Sequence, residues 1–92
     1  MLKFQNDYLG LYIKKIMKKN DLSQKEFGSK CGIKQGNLSR IMSGKVVCSL
    51  DSLVKISDVY KLDLEYLLML RIKTEFDNLY GTGSYDVMVD DK

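Results

Sequence analysis

The stretch LSQKEFGSKCGIKQGNLSRIMSGK, Leu22 to Lys45, decides how the chain folds. Ser23 and Glu26 have the spacing of a capping box, in which the hydroxyl and the carboxylate each satisfy a free backbone N–H of a first helical turn. Leu22 and Phe27 have the spacing of a hydrophobic staple. Gly28 falls inside the helix that follows, at a propensity cost of about 1 kcal/mol. A close helix–helix approach would explain it. Gly32, after Cys31, sits where a left-handed residue ends a helix. A further helix is predicted from about Lys34 to Ser43. Ile33 and Leu38 repeat the staple spacing, and Leu38 and Ile41 face inward. Gln35, Gly36, Asn37, Ser39 and Arg40 are left outside, and Gly44 ends the helix. The stretch therefore reads as two short helices joined by a tight glycine turn.

The flanks are helical too. Leu9, Tyr12, Ile13, Ile16 and Met17 form one apolar stripe on a first helix. Asn6 is its expected N-cap, Asn20 and Asp21 end it, and Lys14, Lys15, Lys18 and Lys19 extend from its other faces. After a loop from Lys45 to Cys48, Ser49 caps a fourth helix with Asp51 in its first turn. Leu50, Leu53, Val54, Ile56 and Val59 are its expected apolar face. Asp63 caps a fifth helix, with Leu62 and Leu67 as a third staple. Leu67, Leu68, Ile72, Phe76 and Leu79 carry it to Tyr80, and Gly81-Thr82-Gly83 stop it. In the acidic tail, Tyr85, Val87 and Val89 alternate like a short edge strand. The expected fold is all-α, a compact bundle of about five helices.

Composition narrows the function. The 92 residues make one domain. No run of about 18 apolar residues provides a membrane span. Lys3, Gln5, Asn6 and Asp7 break any signal-peptide core, and the few cysteines suit a reducing cytoplasm. Cys31 and Cys48 with no histidine are too few soft ligands for zinc. No cofactor motif and no nucleophile–base constellation appears, so an enzyme is not expected. Charge is uneven: residues 1–48 carry ten Lys/Arg against three Asp/Glu, whereas residues 49–92 carry five against nine. A basic half suits a polyphosphate partner, which releases counterions on neutralisation. By itself it fits a solvated surface equally well.

From about Leu9 to Leu68 the chain resembles the helix-turn-helix domain of the Cro/C1 phage-repressor family. The resemblance rests on Leu22-Ser23-Gln24-Lys25-Glu26-Phe27-Gly28, Gly32-Ile33-Lys34, Leu38-Ser39, Met42-Ser43-Gly44, Cys48-Ser49-Leu50-Asp51-Ser52-Leu53 and Asp63-Leu64-Glu65-Tyr66-Leu67-Leu68, at unbroken spacing. It implies a DNA-binding domain over residues 1–70 and a C-terminal extension over 71–92. It also implies double-stranded DNA as partner, with the second helix of the motif in the major groove. By the same resemblance Gln35, Gly36, Asn37 and Arg40 stand at base-reading positions. Gln and Asn pair bidentately with adenine, and Arg with guanine, though Arg40 suits a phosphate equally. Gln24, Lys25, Lys34, Ser39, Ser43 and Lys45 are the expected phosphate contacts.

Four departures from the family pattern matter. Met17 and Met42 stand where an arginine–glutamate pair is frequent, and are expected to touch. Lys34 replaces a serine cap and cannot accept a hydrogen bond. Gly36 brings no side chain to a base-reading position. Cys48 replaces a proline, which leaves its loop less constrained. Family members usually act as dimers, so residues 64–80, with Leu68, Ile72, Phe76 and Leu79 on one face, are the expected homodimer seam. The alternative is that this stripe folds back on its own domain. The expected function is a repressor. An antitoxin binding its toxin through the C-terminal segment, or an interaction module that has lost DNA binding, are the other readings.

Overall fold

The computed structural model describes residues 7–90. Its helices are α1 (Tyr8–Lys19), α2 (Gln24–Cys31), α3 (Gln35–Met42), α4 (Leu50–Tyr60), α5 (Leu64–Tyr80) and α6 (Ser84–Asp90). No strand occurs among the described residues. The Asn6 cap lies outside them. Asp7 holds the N-cap position instead, its carboxylate accepting the Gly10 N–H at 2.9 Å. A Cβ at Gly10 would collide with that carboxylate.

Local chemistry sets where the helices stop. After α1, α2, α3 and α4 the N–H groups of Leu22, Ile33, Lys45 and Leu62 reach back to the carbonyls of Met17, Gly28, Arg40 and Ser57. The residues before them, Asp21, Gly32, Gly44 and Lys61, all take positive φ. This is the left-handed closure that satisfies the last carbonyls of a helix.

The core is one apolar cluster to which α1 through α5 contribute. Ile13, Phe27, Leu38, Leu53, Ile56 and Leu67 lie at its centre, each at most 1% exposed. Met17 and Met42 are both buried in it. On α4 the buried face is narrower than expected. Leu53 and Ile56 are buried, while Leu50, Val54 and Val59 are exposed. Cys48 is buried, which anchors its loop to the core, and burial pushes its thiol up to about 11.

Beyond Leu70 the inward face of α5 is partly polar. Thr74 and Asp77 are buried there with Leu67 and Leu70, and α1 packs across the helix. The Thr74 hydroxyl accepts the Leu9 N–H at 3.3 Å and donates to the Leu70 carbonyl at 2.8 Å. Asp77 accepts the Tyr8 hydroxyl at 2.6 Å, the Gly83 N–H at 3.1 Å and the Tyr85 N–H at 2.8 Å. The last two bonds cap α6 from a distance. The expected edge strand at Tyr85, Val87 and Val89 is therefore a helix. With no neighbouring strand to pair with, a helix start fastened to Asp77 prevails over the period-two pattern. Phe76 lies edge-on to Tyr85, with ring centroids 6.1 Å apart. Lys73 pairs with Asp86 at 3.3 Å and lies 4.5 Å from the centre of the Tyr8 ring.

The Tyr8 hydrogen bond lowers the Asp77 pKa, while the same bond pushes the Tyr8 phenol up to about 12. The depressed Asp77 stabilises the fold above its unfolded value of about 3.9, and that contribution is lost as pH falls through the folded value. The raised Tyr8 contributes fully below about pH 10, and its contribution is lost as pH rises toward about 12. Burial also pushes Tyr60 up to about 12. Tyr8→Phe is thus expected to lower stability at neutral pH and to remove part of the alkaline loss, leaving the part due to Tyr60 and to the buried Cys31 and Cys48 thiols, which burial also pushes up. Asp77→Asn should flatten the acid limb. Urea midpoints measured across pH check both, and unchanged limbs would show that the Tyr8–Asp77 bond does not hold in solution.

Candidate functional site

The α2–α3 pair is built from local interactions. Ser23 Oγ accepts the Glu26 N–H at 3.1 Å, and the Ser23 N–H donates to Glu26 Oε1 at 3.0 Å. These bonds complete the capping box and hold the Glu26 carboxyl below the usual range. Gly32 then turns the chain at φ 71°. A Cβ on Gly28 would stand 2.6 Å from the Ile33 carbonyl oxygen and 3.4 Å from Leu38 Cδ2. The close approach expected of Gly28 is thus made mainly by the backbone of the turn, with α3 behind it. On the other side Phe27 stacks flat on Tyr60, 4.6 Å between ring centroids, which ties α2 to α4. Lys34 opens α3 with extended backbone and no side-chain cap. That leaves first-turn N–H groups of α3 free of an N-cap acceptor.

With Leu38, Ile41 and Met42 buried, α3 turns Gln35, Gly36, Asn37, Ser39 and Arg40 to solvent. Lys25, Lys34 and Lys45 are exposed, and Gln24 is half-buried at the start of α2. Ser43 is half-buried, and its hydroxyl donates to the Arg40 carbonyl at 3.2 Å. That proton must leave its partner before Ser43 can donate elsewhere.

Four of the predicted residues, Lys34, Gly36, Asn37 and Arg40, line one cleft of about 600 Å³ beside α3. Its far side is α4, including Asp51 and Lys55. Gln24, Lys25, Gln35, Ser39, Ser43 and Lys45 lie outside the cleft. Lys55 is not among the residues expected from the sequence, and Asp51 is expected there only as a favourable first-turn charge. The available signal was their i,i+4 spacing, which places both on one face of a helix. Among the described residues no group of His, Cys, Asp and Glu is arranged to hold a metal ion, and no helix is long and apolar enough to cross a membrane.

Residues 13–67 match the family model described as helix-turn-helix, which covers more than half of the chain. No curated protein gives a significant match. The matched span includes α2, α3 and α4 whole and ends within α5, so most of α5 and all of α6 lie beyond it.

Gly36 has no heavy atom within 4 Å of where a Cβ would stand, so packing does not require a glycine there. Gly36→Ala is expected to raise stability by about 0.5–1 kcal/mol through helix propensity. Urea denaturation measures the change, and a loss of stability would mean that the fold itself needs the glycine.

Proposed function

Because the chain belongs to the Cro/C1-type helix-turn-helix family it is a DNA-binding regulator of that kind, and we propose that it is a cytoplasmic repressor binding a duplex operator as a homodimer. The observation that carries this reading is the outward row on α3. Gln35, Asn37 and Arg40 are all exposed on a helix whose opposite face is buried in the core. Such a helix fits the major groove with its polar side chains against base edges. Gln35 and Asn37 suit adenine, Arg40 suits guanine, and the bare Gly36 lets the backbone come close. Gln24, Lys25, Lys34, Ser39, Ser43 and Lys45 are assigned to phosphates, which set register without reading sequence.

Dimerisation brings two recognition helices to successive major grooves about 34 Å apart. The outward side of α5 supports a seam there. Ile72 is 49% exposed and Leu79 is 76% exposed, whereas Leu68 is partly buried against the core. A second reading is favoured by the open groove of about 640 Å³ between α5 and α6, lined by Phe76, Tyr80, Val87 and Met88. In that reading the chain is an antitoxin whose partner docks on the C-terminal hairpin. Co-purification with the product of a neighbouring gene separates the two.

Mobility shifts with operators selected from random duplex DNA test the base reading. Asn37→Ala and Arg40→Ala should each lose about 1–3 kcal/mol of discrimination at one base position. Lys45→Ala should weaken all duplexes alike and reduce the salt slope by about 1. Equal loss on every sequence would make Arg40 a phosphate contact, and salt-independent binding would overturn the interface. For the seam, Ile72→Glu combined with Leu79→Glu in the full chain should give monomers in sedimentation experiments. A dimer that survives both changes lies elsewhere.

A further inference from the structure

The cleft beside α3 has a second wall, and that wall carries charge. Asp51, in the first turn of α4, and Lys55, one turn on at its middle, form an ion pair with Lys55 Nζ 3.0 Å from Asp51 Oδ2. Both line the cleft opposite Lys34, Asn37 and Arg40. The cleft therefore holds three cations and one carboxylate. Both members of the pair are solvent-accessible, the Lys55 side chain 46% and the Asp51 side chain 76% exposed. An ion pair of this kind contributes little to holding a fold together.

What would enter this cleft follows from the dimensions of DNA. A helix with its side chains is about 10–12 Å across, and the major groove is about 12 Å wide. With α3 filling the groove, a wall standing beside α3 meets the sugar–phosphate strand at the groove's edge. It does not meet base edges. A cation there finds phosphate oxygens, and a carboxylate there repels them.

We propose that Lys55 is a phosphate-binding residue of the DNA interface, held over the cleft in the free protein by Asp51 and handed to a backbone phosphate on binding. This rests on the DNA-binding reading above. The exchange makes or breaks no covalent bond. Lys55 Nζ leaves one anionic oxygen for another, and Asp51 turns to solvent.

A double-mutant cycle on binding to a mixed-sequence synthetic duplex tests it. The simpler role for Lys55 is to neutralise Asp51, and the two roles separate once Asp51 is gone. With a phosphate contact of its own, D51N/K55Q binds about fivefold more weakly than D51N near physiological salt, and its salt slope is smaller by about 0.9. D51N alone binds more tightly than the parent chain. Equal affinities and slopes for D51N and D51N/K55Q overturn the proposal. If the parent chain binds duplex and Lys45→Ala flattens its slope while the cycle stays flat, only the role of Lys55 fails. If the parent chain binds no duplex at any salt, the DNA-binding reading fails with it. Melting curves of all four proteins confirm that each is folded.

Discussion

The contact between Gly28 and the Ile33 carbonyl is the constraint on which the rest of the molecule depends. A single Cβ at Gly28 would stand 2.6 Å from that oxygen, a distance that backbone atoms cannot relieve by rotating. With hydrogen there instead, the turn lies flat on α2 and the Ile33 N–H reaches the Gly28 carbonyl at 2.8 Å. Ile33 and Leu38 are then both buried in the core. Once Leu38, Ile41 and Met42 face inward, helical geometry leaves Gln35, Asn37 and Arg40 no direction but outward. The chemistry that α3 presents to solvent is thus set by the face buried in the core.

The second organising feature is the polar seam between α1 and the end of α5. Asp77 gathers three donors from two other parts of the chain, and Thr74 bridges the start of α1 to its own helix. A buried carboxylate with several short hydrogen bonds specifies geometry more narrowly than apolar contact does, since each donor must point at it. The end of α5 and the start of α6 are therefore fastened to α1, while Ile72 and Leu79 remain exposed.

Most of the domain was legible in the sequence because its signals are local. The Ser23–Glu26 box, the Ser49 and Asp63 caps and the glycine turns act within a few residues. They end the helices where spacing alone places them. What was not legible depends on residues far apart in the chain. Asp77 caps α6 through bonds that no period of the sequence announces, and so Tyr85, Val87 and Val89 suggested a strand. The outward row of α3 could be read because its inward partners are apolar. Lys55 offered only its i,i+4 spacing to Asp51, because the cleft that the pair lines is one that α4 forms with α3. On α4 the exposed Leu50, Val54 and Val59 misled for the opposite reason, being apolar positions with no wall opposite.

The Asp77 cluster also has a mechanical meaning. Tyr8 at the start of the described chain and Gly83 and Tyr85 near its end are bonded to the same carboxylate. Tension applied through whatever is joined to either end is carried first across those few bonds. The α2–α3 pair lies outside that load path.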